Sequence, residues 1–228
     1  LKVIRSRIIV EVSPIKTRVE QVVVQKTHLG KFLPTFLVLI IMFVCVLLSS
    51  SIIINERTSS AYFRNTISAT PNSVFLFGTY LTSFIIIILQ LVIVALALHV
   101  LISYSITFWI GAILPLLLIS SMFILLGIII GYLAHSQETS NIVSFFVIVG
   151  ALFFSNTILP LETIPLYLKQ IILYNPFVVS EVILRKIIIF SFPIKNVLEN
   201  LLRLIVYNLI FLVISYIALV YAKTKLKK

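Results

Sequence analysis

Aspartate is absent from this 228-residue chain, so all seven of its acids are glutamates, and charged residues make up only 11% of it. There is a single cysteine, Cys45, which excludes an intrachain disulfide. It lies inside an apolar run and reads as a small packed hydrophobe, not a reactive thiol. The six glycines nowhere spell G-x-x-x-x-G-K-[ST], so the chain encodes no phosphate-cradling loop of that kind. No Ser/His/Asp set or pair of carboxylates stands out. No histidine–cysteine cluster has metal-ligand spacing. The expectation is therefore a chain with no catalytic, cofactor-binding or metal-binding residues of its own. Nothing in the stretch before Gln25 resembles a secretory leader, because Arg5, Arg7, Glu11, Lys16, Arg18 and Glu20 interrupt it.

What the chain has in abundance is apolar surface. Hydrophobic residues make up 61% of it, and the mean hydropathy is +1.19. Soluble domains average about 45–50% apolar and about 25% charged residues. Much of this chain must therefore face lipid. The net charge of +11 would suggest nucleic acid in a soluble protein. Here the lysines and arginines flank apolar segments, so lipid headgroups are the simpler partner and nucleic acid is not expected.

A spanning helix needs about 20 residues to cross a hydrocarbon core of about 30 Å. Five stretches qualify: Phe32–Ile54, Val74–Ile102, Ile106–Ala134, Ile142–Leu159 and Leu201–Ala222. Pro115 is expected to kink the third. Between the last two lies a connector, Pro160–Asn200, with two shorter apolar segments, Ile164–Leu173 and Phe177–Phe190, parted by Asn175-Pro176. A re-entrant helical hairpin suits this pattern. Before Phe32, Val3–Val12 alternates with a period of two and Val19–Val24 reads as a second strand; a disordered basic arm is the alternative. The expected fold is an all-α polytopic membrane protein of five transmembrane helices plus the hairpin. Residues 1–31 would be the end of an extramembrane, external domain, with β character, in a chain that begins inside a longer one. Residues 32–228 would form the transmembrane domain.

The order of these pieces resembles the permease subunits of ABC-2 type ATP-binding cassette transporters. The most specific stretch is Gly127–Phe177, GIIIGYLAHSQETSNIVSFFVIVGALFFSNTILPLETIPLYLKQIILYNPF. A small-residue helix end, a Ser-Gln-Glu loop, a helix, a Pro-Leu-Glu-x-x-Pro turn, an amphipathic segment and Asn-Pro follow one another as in that family. NERTSSAYFRNTISATP, Asn55–Pro71, is similar to the family's cytoplasmic segment after its second helix through Glu56, Arg57, Thr70 and Pro71. It departs at Thr58, which replaces an acid, and in lacking a glycine. Gly78 matches a glycine of the third helix, while Thr79 stands where lysine is frequent. Six spans are the family's number, so the resemblance implies that the missing one is the first.

The resemblance implies a permease of an ATP-driven exporter in the plasma membrane, acting with a separate ATPase subunit that holds ATP and magnesium, and pairing with a second permease subunit. A secondary transporter or a non-transporting scaffold or assembly protein are the alternatives. Coupling to the ATPase would fall to a short helix from Glu56 to Thr66, with Tyr62 and Phe63 as apolar knobs and Glu56, Arg57 and Arg64 as charged rims. A solvated loop is the competing reading. Gly127-x-x-x-Gly131 allows close helix packing. In the hairpin, Pro160, Glu162 and Pro165 form the entry turn, where Glu162 is expected to cap the first connector helix rather than to touch substrate, and Asn175-Pro176 form the break. Glu181 and Arg185 form an i,i+4 pair. Gln90, His99, Asn156 and Asn208 are polar within spans; the amides are expected to bond between helices and His99, near a span end, to reach the interface, with contact to cargo as the alternative for each. Counting positive charges favours the opposite sidedness: Asn55–Ser73 and the tail hold six Lys/Arg, against seven before Phe32 and four in the connector. Long translocated domains escape that rule, so the N-terminal seven count for less; the resemblance implies that the loop Asn55–Ser73 is cytoplasmic, where the ATPase would meet it.

Overall fold

The computed structural model of the protein describes residues 28–59, 72–102, 106–155, 166–190 and 194–225. All of its regular structure there is helical: α1 (His28–Thr58), α2 (Asn72–Ile102), α3 (Ile106–Leu133), α4 (Gln137–Phe153), α5 (Leu166–Leu173), α6 (Pro176–Ile188) and α7 (Leu198–Lys225), the last preceded by a 3-10 turn, Ile194–Val197. The strands expected before residue 25 lie outside the described residues.

Among the described residues, four helical segments are long and apolar enough to cross a bilayer: Phe32–Thr58, Ser73–Ala97, Gly111–Leu133 and Lys195–Thr224. They coincide with four of the five expected spans. The fifth, expected at Ile142–Leu159, differs in both position and length. The helix there, α4, has 17 residues and runs Gln137–Phe153. Hydropathy located the apolar run, but a cap located the helix. Ser136 is extended (φ −140°, ψ 163°) and its hydroxyl accepts from the Thr139 amide at 3.2 Å, so the helix begins in polar sequence. At about 1.5 Å per residue α4 is about 25 Å long, somewhat less than the hydrocarbon thickness. Helix α3 runs on through Pro115.

Helices α1 and α3 form the centre. Their apolar windows are 56% and 61% buried, against 11% for α2 and 22% for α7. The reason is at the glycines. A Cβ on Gly127 would lie 2.6 Å from the Val46 carbonyl oxygen, and one on Gly131 would lie 2.7 Å from Ile53 Cβ. Only a missing side chain permits that approach of α3 to α1. Val38, Cys45, Val46, Ile119, Ile124 and Ile128 close the seam with no exposed surface.

The pairings also give direction. Val46 faces Gly127 and Ile53 faces Gly131, so α1 and α3 run parallel. Ser51 meets Gln137 and Phe43 meets Phe145, so α4 runs back against α1. Helix α6 lies antiparallel to both central helices. Ile187 is at Gly111, near the start of α3, and Phe177 lines a cavity together with Met42 and Phe123. The ends of α1 and α3 and the starts of α2 and α4 therefore share one face, with the end of α7. We call it the Arg57 face, and its opposite the hairpin face.

Candidate functional site

Two junctions of polar groups stand out. The first is on the Arg57 face. Glu56 and Arg57 belong to the last turn of α1, not to a separate helix, and the Thr58 hydroxyl closes that turn on the Ile54 carbonyl. Arg57 Nη1 lies at 3.1, 2.9 and 3.0 Å from the carbonyl oxygens of Gly131, Tyr132 and Ala134 and donates into that cluster. These carbonyls end α3, where four oxygens have no partner within the helix and the macrodipole is negative. A guanidinium there satisfies orphan acceptors and neutralises the dipole end. The neighbouring Glu56 Oε2 accepts from Thr79 Oγ1 of α2 at 2.9 Å. Gln137 Nε2 at the start of α4 donates to Ser51 Oγ of α1 at 2.7 Å. Lys223 of α7 stands 4.5 Å over the Phe75 ring of α2. The ends of α1, α2, α3, α4 and α7 are thus joined directly beside the segment 60–71. Tyr62, Phe63 and Arg64 lie in that segment and outside the described residues.

The second junction is on the hairpin side. Asn175 is the N-cap of α6: its Oδ1 accepts from the Phe177 amide at 3.0 Å, with Pro176 in the first turn. Its Nδ2 donates to the carbonyls of Ala151 (2.7 Å) and Phe154 (2.8 Å) at the end of α4. One amide thus begins one helix and finishes another. Tyr207 of α7 donates to the Tyr174 carbonyl at 2.9 Å, fixing the same turn. One turn into α6, the buried carboxylate of Glu181 pairs with Arg185 and accepts from Thr35 Oγ1 of α1 at 2.7 Å. Pro160, Glu162 and Pro165 lie outside the described residues.

Between the junctions run hydroxyl and amide bonds across the apolar interior. Ser121 of α3 donates to Asn208 Oδ1 at 2.7 Å and shares a 2.7 Å bond with Tyr80 of α2. Asn208 Nδ2 reaches the Leu118 and Leu204 carbonyls. Asn208 was singled out by its sequence; Tyr80, Ser121, Thr35 and Tyr207 were not. A hydroxyl inside an apolar run carries no sign of its distant partner. Gln90 is half-buried on α2, whereas the side chain of His99 and the whole of Asn156 lie outside the described residues. Among the described residues no group of three or more His, Cys or Glu could hold a metal.

A cavity of about 680 Å³ opens beside the second junction, between α1, α3, α4 and the α5–α6 turn. Its walls include Met42, Val46, Phe123, Val147, Ala151 and Phe177.

No curated protein and no solved structure matches this chain. A family profile described as ABC-2 family transporter protein matches residues 4–217.

Proposed function

The chain belongs to the ABC-2 transporter family, and from that premise we propose that it exports a substrate using ATP hydrolysed on a separate ATPase subunit. It is a multi-pass membrane protein and the permease type of subunit of an ABC transporter. The finer reading is ours. Two permease subunits pair in the plasma membrane, and two ATPase subunits, carrying ATP and magnesium, bind the Arg57 face from the cytoplasm. In each permease α4 serves as a fifth span, and α5 and α6 form a re-entrant hairpin from the opposite side. The residues before α1 close an external domain.

One observation carries the coupling part of this reading. Arg57 and Glu56 tie the last turn of α1 to α3 and α2 immediately before the segment 60–71. A push on that segment would reach several helix ends at once through short, directed bonds, as a rigid lever requires. Tyr62 and Phe63 are apolar knobs for a groove on the ATPase, and Arg64 is its charged rim. The hairpin reading is supported by the register of α6, whose start shares a cavity with Met42 and Phe123 in the inner parts of their helices.

The test is the triple change Tyr62→Ala, Phe63→Ala, Arg64→Ala in the complete complex. The expected outcome is loss of ATPase co-purification, or of ATP hydrolysis by the reconstituted complex, at unchanged permease abundance. Unchanged values for both remove the coupling role of this segment.

A further inference from the structure

We propose that the cleft between the end of α1 and the start of α2 binds a primary ammonium group, on a phospholipid headgroup or a soluble amine, with the Glu56 carboxylate as its counter-ion. This rests on α1 and α2 being membrane spans. It is independent of the coupling role of segment 60–71, of the cargo and of the direction of transport.

The charge at Glu56 comes first. The other described glutamates are each compensated. Glu181 and Glu199 pair with Arg185 and Arg203. Glu138 lies in the first turn of α4, where the macrodipole favours an acid. Glu56 is half-buried in the last turn of α1, where the macrodipole is negative, and it makes no ion pair among the described residues. Its neighbour Arg57 is turned to the carbonyls of α3, and Lys223 stands over the Phe75 ring. A half-buried carboxylate at that helix end calls for a cation.

The space beside it has the chemistry for one. A cavity of about 370 Å³ is walled by Ile52 and Glu56 of α1 and by Phe75, Gly78, Thr79 and Thr82 of α2. A Cβ on Gly78 would meet nothing within 4 Å. Thr79 Oγ1 shares its one proton between Glu56 Oε2 at 2.9 Å and the Phe75 carbonyl at 3.1 Å. Thr82 Oγ1 gives its proton to the Gly78 carbonyl at 3.0 Å. Both hydroxyls are left with lone pairs, and a carboxylate has nothing else. The polar side chains of the lining therefore accept and do not donate. One carboxylate and two hydroxyls fall short of the roughly six to eight oxygens that calcium takes. A quaternary ammonium has no N–H for these acceptors, whereas a primary ammonium brings three donors.

The depth agrees. Glu56 is close to the end of the apolar segment Phe32–Thr58, and Val74, also in the lining, is at the start of Ser73–Ala97. The cleft is thus at the headgroup ends of both spans.

The test uses the complete complex reconstituted in two kinds of vesicle. One holds phosphatidylethanolamine and phosphatidylglycerol. The other holds phosphatidylcholine and phosphatidylglycerol, with ethanolamine in the buffer. A water-soluble carbodiimide activates carboxylates; an adjacent primary amine then forms an amide, and the reagent leaves as a urea. Peptide mass spectrometry locates each product and reads the mass attached. The expected result is a product at Glu56, of phospholipid mass in the first vesicles or of ethanolamine mass in the second. The two masses separate the lipid from the soluble source, and either supports the site. Gly78→Leu and Val74→Trp fill the cavity by two routes, and each should abolish the product; Gly78→Ala should keep it. Coupling of ethanolamine at the exposed Glu138 shows that the reagent acts and should be the same in every variant. Glu138 coupled with Glu56 bare in both kinds of vesicle would overturn the proposal. A Glu56 link to a lysine of this chain or of the ATPase would also overturn it, because protein would then supply the ammonium. So would a Glu56 product that survives both filling variants.

Discussion

Gly127 and Gly131 limit the α1–α3 seam by what they lack. A methyl group on either meets backbone or Cβ atoms of α1 at less than 3 Å, and none of those is the far end of a flexible side chain. The helices must move apart, so Gly127→Ala and Gly131→Ala should each destabilise by about 1–3 kcal/mol. Gly78 and Gly150 are helical too, but a Cβ there meets nothing within 4 Å. Their alanine variants should be neutral or more stable by up to about 1 kcal/mol. Thermal unfolding of the four purified variants checks the order; equal losses at all four would contradict it. The small-residue spacing of Gly127 and Gly131 was legible in the sequence, whereas their partner was not. Spacing defines a face of one helix, and only packing selects which neighbour lies against it. The same holds for Thr35 and Glu181, which meet from 146 residues apart.

Element boundaries were legible where a cap and an apolar run agreed, and misplaced where they did not. Asn175-Pro176 combines an N-cap with a first-turn proline, and α6 starts there. In α4 the apolar run and the helix are offset because Ser136 starts the helix early. The end of α4 depends on a residue that hydropathy does not weigh. Asn175 supplies donors to two of the terminal carbonyls, and a carboxylate cannot. Asn175→Asp should therefore destabilise at least as much as Asn175→Ala, although aspartate is as good an N-cap as asparagine. A loss of about 2 kcal/mol is expected for alanine from the stranded carbonyls. Chemical unfolding of the two variants side by side measures it, and a benign Asn175→Asp would mean that capping α6 is the only role of the amide.

The described helices form a buried α1–α3 pair with the equally buried α6 against it and the less buried α2 and α7 around it. Apolar residues on α2 and α7 face outward along most of their length, including Ile85, Leu89 and Ile93 on α2 and Leu209, Val213 and Ile217 on α7. With lipid as the solvent, apolar contact alone holds such helices weakly, and directed polar bonds add to the packing. The Tyr80–Ser121–Asn208 group joins α2, α3 and α7 in this way. Asn208→Leu should lower stability by about 0.6 kcal/mol, with about 1.7 kcal/mol as the upper end for such bonds. It should also raise hydrogen exchange in α2 and α7 before α1 and α3; exchange rising first in the central pair would exclude the role. The membrane class was legible because composition alone decides it. This arrangement was not, because apolar residues facing lipid and apolar residues facing protein look the same in a sequence.

The amide that finishes α4 also sets an order of events during synthesis. Ala151 and Phe154 leave the ribosome 24 and 21 residues before Asn175. At about 5–20 residues per second, the end of α4 waits roughly 1–5 seconds for its donor. In that interval its carbonyls must stay where water or the insertion machinery can serve them. The end of α4 is therefore complete only once the start of α6 has been made.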